Sequence, residues 1–178
     1  MNDTTRAPVP VRIRWLGVIT AIMLLLQLGL NQPLQTATAP QGMLSFQLAG
    51  TGESAAAIAQ SWASAGMGWA LASLWSGFLF AVLYSTLLIL FTNYLLVDRP
   101  GIRERKTGRW VRGLFVTAGL AHIAEYALML ANLETPSDRL SLSATLLALA
   151  NYTALVLGIA GLVVIRAARR HPMHPTRA

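Results

Sequence analysis

The chain contains no cysteine. Disulfides, thiolate nucleophiles and cysteine-ligated metals are excluded with it, and so is a membrane-embedded thiol oxidoreductase. Acidic residues are scarce, 7 against 14 lysines and arginines, and charges of both signs fill only 12% of the 178 positions. Soluble domains carry about 25% charged residues, so most of this chain needs a surrounding other than water. No internal repeat or low-complexity tract is visible.

What is present is apolar: 54% of residues are hydrophobic and the mean hydropathy is +0.52. Every basic residue except Arg139 falls in one of three blocks. They are Arg6, Arg12 and Arg14; then Arg99, Arg103, Arg105, Lys106, Arg109 and Arg112; then Arg166, Arg169, Arg170 and Arg177. Lysine and arginine stay on the cytoplasmic side of a membrane. Basic blocks at the start, middle and end therefore describe a chain that leaves the cytoplasm twice and returns twice. Spans of ~20 residues fit between them.

The expected fold is all-α: an integral-membrane four-helix bundle with a small external helical segment on the periplasmic side. A cytoplasmic N-terminus (1–14) precedes a first span (15–30), the external segment (31–66) and a second span (67–97) whose outer part protrudes. A basic cytoplasmic loop (98–109), a third span (110–133), a short external loop (134–139), a fourth span (140–165) and a cytoplasmic tail (166–178) complete it. The first apolar run resembles a secretory signal, with Ala37-Thr38-Ala39 as a cleavage pattern. Pro40 after the cut and the distance from the run favour an uncleaved anchor. The expected location is a bacterial cytoplasmic membrane.

The formal charge of +7 is explained by this topology, and no nucleic-acid motif accompanies it. Nucleic acid is not an expected partner. Anionic headgroups of the lipid bilayer are the expected contacts of Arg99, Arg103, Arg105, Lys106, Arg109 and Arg112.

The segment 31–66 holds no lysine or arginine and one acid, Glu53. Its residues Met43-Leu44-Ser45-Phe46-Gln47-Leu48 alternate like a short extended piece. Thr51 is placed to cap a helix with Glu53 in the first turn, where the helix dipole favours negative charge. On that helix Ala55, Ile58, Trp62 and Ala65 form one apolar face. It is expected to lie on the bilayer or on the top of the second span.

Ionisable groups at bilayer depth are costly and each needs a reason. Two stand in the third span, His122 and Glu125. Counted from Arg112, His122 lies ~15 Å deep and Glu125 ~4.5 Å further out, and their spacing puts them on one helix face. Tyr84 falls at a similar height in the second span and Asn151 near the centre of the fourth. Tyr84, His122, Glu125, Tyr126 and Asn151 are thus the candidate polar cluster, with Tyr84 or Asn151 expected to hydrogen-bond a neutral Glu125. Gln27, Asn93 and Asn132 sit near span ends. Small residues at Gly113, Thr117 and Ala121 and at Ala150, Ala154 and Gly158 have the spacing of close helix contacts.

No metal or cofactor is expected. One membrane histidine cannot supply two haem ligands, and a lone His-x-x-Glu lacks the paired repeats of a di-iron bundle. His171 and His174, flanking Pro172, read as a polar tail.

Two stretches carry a resemblance. Ser45-Phe46-Gln47-Leu48-Ala49-Gly50-Thr51 with Ile58 and Trp62, and Leu74-Trp75-Ser76-Gly77-Phe78-Leu79-Phe80 with Tyr84, resemble a loosely defined group of uncharacterised bacterial four-span inner-membrane proteins. That group reads "FAGT…IL..W" in its external segment, "LDFLFxxxY" in its second span and "ADLLEN" in its third. The similarity covers roughly residues 43 to 133. It implies the same four-span fold and no activity. Glu125 matches the glutamate of the third motif, whereas His122 and Tyr126 replace its aspartate and asparagine. Gly77 stands at the aspartate of the second.

Three functional classes remain. The first is a structural or accessory membrane protein, working with a membrane partner or as a homo-oligomer. The second is a small transporter or proton-coupled binder using Glu125. Small multidrug exporters also place a glutamate in four spans, but they tolerate inverted insertion, which the basic bias here opposes. The third is an intramembrane enzyme. It ranks last, because membrane aspartyl hydrolases need paired carboxylates and only one lies deep here.

Overall fold

The computed structural model describes residues 8–64, 66–97 and 102–170, and among them every regular element is helical. Helix α1 (Val11–Asn31) runs into a single 3-10 turn (Gln32–Leu34). Two short helices follow, α2 (Met43–Gln47) and α3 (Gly52–Trp62). Three long ones complete the chain: α4 (Met67–Leu96), α5 (Ile102–Glu134) and α6 (Asp138–Arg170). Four stretches, Val11–Leu34, Met67–Leu96, Arg105–Glu134 and Asp138–Ala167, are long and apolar enough to cross a membrane, as in a multi-pass membrane protein. Helix α4 has 30 residues with no charge and no proline, so nothing interrupts its backbone ladder.

The long helices pack antiparallel in series. On α1 and α4, Gly17 faces Leu87 and Gln27 bonds to Ser73. On α4 and α5, Asn93 pairs with Arg112 and Gly119 lies against Ser85. On α5 and α6, Phe115 seats on Gly158 and Asn132 bonds to Ser141. Helix α1 packs on α4 alone among the long helices at any length. The four long helices are arranged as a three-helix body with α1 as an outrigger, its large apolar side chains exposed on the remaining sides.

Burial is inverted relative to a water-soluble bundle. On α6 the buried stripe is Ser141, Ala144, Ala148, Asn151, Ala154 and Gly158, continued at the basic end by Leu162 and Ile165, while Leu142, Leu146, Leu149, Val156, Leu157 and Val163 face out. Small residues inside let backbones approach, the packing used where the surroundings are as apolar as leucine. Ala154 and Gly158 serve the α5–α6 contact; Gly113 and Thr117 point outward.

Residues 32–64 form a cap over the end of the body where α1 ends and α4 begins. The stretch expected to be extended is instead helix α2. Asn31 Oδ1 accepts from the Met43 amide at 2.7 Å and Gly42 turns the chain at φ 61°. Met43, Phe46 and Gln47 then bury together, a helical spacing that overrides the local alternation. Helix α3 begins as its sequence suggests, with Thr51 Oγ1 accepting from the Ser54 amide at 3.2 Å. Its face of Ala55, Ile58 and Trp62 is buried; Ala65 lies outside the described residues. Trp62 packs on Phe46 with ring centroids 5.4 Å apart and donates to the Leu34 carbonyl at 2.8 Å. The core around it takes in Ala70 and Leu74 of α4 and Met129 and Ala144 of the α5–α6 pair.

The cap is fastened to the α5–α6 turn. Asp138 Oδ1 accepts from the Gly52 amide at 2.7 Å, and Thr145 donates to the Gln47 carbonyl at 2.9 Å. A Cβ on Gly52 would come within 2.8 Å of the Ser137 backbone.

At the opposite end gather the exposed Arg12, Arg14, Arg105, Lys106, Arg109 and Arg166. The expected loop 98–109 is helical from Ile102 onward. Arg112, expected at lipid headgroups, is half-buried and donates to Asn93 Oδ1 at 2.9 Å. Arg6, Arg99, Arg177, His171, His174 and the Arg103 side chain lie outside the described part.

The cap contact is testable because Trp62 is 1% exposed while Trp15, Trp69, Trp75 and Trp110 are all exposed. With those four changed to phenylalanine, Trp62 emission should be blue-shifted and resist iodide. Gly52→Ala in that background should push α3 off the Ser137 backbone. Red-shifted, quenchable emission is the expected reading, and unchanged emission would show that the contact does not hold the cap.

Candidate functional site

The helix registers bring three polar side chains from three helices to one point. Tyr84 of α4 donates to Asn151 Oδ1 of α6 at 3.1 Å. Its hydroxyl also lies 3.5 Å from His122 Nδ1 of α5, and Asn151 Nδ2 lies 3.3 Å from the same nitrogen. An amide Nδ2 can only donate, so Nδ1 is the acceptor. The ring proton then resides on Nε2 of a neutral imidazole. All three residues are buried.

Glu125 is placed differently from the expectation. Its side chain is completely buried, yet neither Oε1 nor Oε2 has a hydrogen-bond partner. Asn151 stands close enough to act on the carboxyl, yet no bond of sound geometry joins them, since Asn151 Nδ2 is aimed at His122 and only its second N–H is left over. His122 Nε2 is likewise unpartnered. An N–H donor without an acceptor and a carboxyl without a partner thus sit three residues apart on one helix face, a separation of about 5–6 Å between Cβ atoms. Buried polar atoms are nearly always paired. Among the described residues, these three are the buried side-chain N and O atoms left without a partner.

Tyr126, the last member of the expected cluster, turns away from Tyr84. Its ring packs on His122 at a tilt of 45° with centroids 4.4 Å apart and fills the space left by Gly77, where a Cβ would collide with it. Gly77 thus makes room for the Tyr126 ring. The Tyr126 hydroxyl lies 3.5 Å from Gln47 Nε2 of the cap, and Tyr152 of α6 donates to Gln47 Oε1 at 2.9 Å.

Gln47 and Tyr152 stand outside the cluster expected from the sequence. Tyr152 is expected near the centre of the fourth span beside Asn151, and Gln47 falls in the piece expected to be extended, so only its helical spacing from Met43 turns it inward. Gln27, read as a span-end residue, pairs with Ser73 through both ends of its amide, at 3.2 and 3.1 Å. These residues line a groove of about 460 Å³. One side is α1 (Gln27, Leu28, Asn31) and the other Tyr152. Met43, Leu44 and Gln47 roof it, and Ser73 and Tyr126 form its back. Tyr126 alone stands in both the groove and the inner cluster, as the partition between them.

The arrangement separates a paired part from an unpaired part. Tyr84→Phe should cost about 1 kcal/mol by removing one donor, and Asn151→Leu about 1–3 kcal/mol by stranding both Tyr84 and His122. Thermal unfolding in a fixed detergent measures both. Additive losses in the double variant would show that the three groups do not act as one network. Comparison with protein-family models, curated proteins and solved structures finds no match to this chain.

Proposed function

We propose that the protein crosses a bacterial cytoplasmic membrane four times with both termini inside, and that it binds a small ligand with coupled proton release at Glu125 and His122. The inverted burial of α6 and the apolar outer sides of α1 support insertion. So do the exposed tryptophans at two levels: Trp15 and Trp110 at the basic end, Trp69 and Trp75 at the cap end. Indoles favour the two membrane interfaces. The exposed arginines and Lys106 at one end suit anionic headgroups and orient that end inward.

The binding function rests on a single observation, two unpartnered groups three residues apart on α5, the Glu125 carboxyl and His122 Nε2. Together they complement a group that is acceptor and donor at once, a hydroxyl above all. Such a group accepts from Nε2–H and donates to Glu125. A donor is held more tightly by a carboxylate than by a carboxylic acid. Binding therefore favours release of the Glu125 proton, and the ligand and the proton compete for one side chain. The accessory reading is favoured by a different observation, the Tyr84–Asn151–His122 network that joins α4, α5 and α6. That network can hold the body together without Glu125.

Two experiments test these statements. Cysteine in place of Ala56, on the exposed side of α3, should react with an impermeant thiol reagent on intact cells. Cysteine in place of Ala167 should react only after permeabilisation, and labelling of Ala167→Cys on intact cells would reverse the orientation. For the site, Glu125→Leu removes a carboxyl that bonds to nothing, so it should leave thermal stability unchanged or higher. A purely structural Glu125 would instead cost about 1–3 kcal/mol on the same change. Glu125→Gln should abolish the pH-dependent carboxyl band in infrared difference spectra and keep the helical content. A band that persists in the Gln variant would sink the proton-coupled reading.

A further inference from the structure

The groove between α1 and α6 differs in chemistry from the sealed cluster behind it. None of its lining residues is a lysine, arginine, aspartate or glutamate. Its polar edge is made of carboxamides and hydroxyls, and two of them are built into a fixed site. Gln47 is buried, with its carbonyl held by Thr145 and its carboxamide between Tyr126 and Tyr152. Tyr152 is held from the other side of the groove and is 40% exposed. The groove volume of about 460 Å³ falls within the ~300–1,000 Å³ of small-molecule sites.

The opening has a direction. Helix α1 packs on α4 and leaves the flank towards α6 uncovered, so the groove gives sideways between these helices rather than along their axes. Leu28 and Leu44 stand among its lining residues. A ligand arriving from the side is dissolved in the bilayer and carries an apolar tail. Its head meets donors and acceptors but no counter-charge, and an ionised head moved there would lose its hydration without compensation.

We propose that this groove binds the uncharged, hydrogen-bonding head of a membrane amphiphile, entering between α1 and α6 with its tail left in the lipid. Gln47 and Tyr152 hold the head, and Tyr126 is the partition through which occupancy reaches His122 and Glu125. The inference goes beyond the proposed function by giving a second site, parted from Glu125 by Tyr126, and it rests on that reading for the bilayer around α1 and α6 and for the final link to Glu125.

The test uses the full chain in nanodiscs and three photoreactive probes with one dodecyl chain and a diazirine next to the head. The heads are an N-methylamide, a trimethylammonium and a phosphate. The amide probe should crosslink within the groove, at Leu28, Leu44 or Tyr152, and excess unlabelled amide should compete. The two charged probes should label the groove weakly. Gln47→Leu with Tyr152→Phe should lower amide labelling about tenfold, the factor expected for loss of a pair of modest hydrogen bonds. If the double variant unfolds, Tyr152→Phe alone decides, since it removes only a hydroxyl from a partly exposed ring. Equal labelling by all three heads, or labelling indifferent to Gln47 and Tyr152, overturns the proposal. Glu125→Gln should leave groove labelling intact, so a failed proton-coupled reading and a failed groove give different results.

Discussion

The structure depends on the register of α5 against α6. Phe115 seats on Gly158 and Val111 on Gly161, where a Cβ on either glycine would run into the opposing side chain. A ring lying directly on backbone fixes two helices along their axes more firmly than any exchange of leucines can. From this register follows the level at which Asn151 meets His122, and at the far end the placing of Asp138 where the cap needs an acceptor. Helix α4 joins through the same device, with Gly119 against Ser85 and Gly77 under Tyr126. Polar pairing comes second: it uses positions that small residues have already brought together.

Much of the helical organisation was legible in the chain because apolar length and the absence of charge act locally. Residues 67–96 admit one reading, and the Thr51 cap with the Ala55, Ile58 and Trp62 face needs only its own neighbourhood. Counting residues from the basic ends puts Tyr84 level with Glu125 and Asn151 near the centre of its span, since a straight helix converts sequence distance into depth; Tyr84 instead meets His122, one turn away. What did not follow from counting was rotation about the axis. Glu125 and His122 share a face, but the choice of which one Tyr84 and Asn151 address turns on a few tens of degrees set by glycines elsewhere.

The same reasoning explains why Gln47 escaped notice. An alternating hexapeptide is weak evidence against a helix of five residues, and the outcome was decided by Asn31 and Phe46, outside local pattern. Likewise the outrigger position of α1 has no signature of its own. Its composition would serve equally well in a closed bundle, and only the lack of any extended contact with α6 distinguishes the two. That gap leaves the groove, so the least legible part of the fold is also the part nearest the proposed ligand.

The fastening of Gly52 to Asp138 has a consequence for biogenesis. The amide and its acceptor are 86 residues apart, and the acceptor belongs to the turn joining the last two helices. During synthesis the cap is made early, while the surface it closes on does not yet exist. Its final closure must wait until α5 and α6 have been made, so assembly is completed from the C-terminal hairpin backwards. A chain interrupted after α4 would leave the side of the cap that meets Met129, Asp138 and Ala144 uncovered, a feature by which quality control could recognise an unfinished molecule.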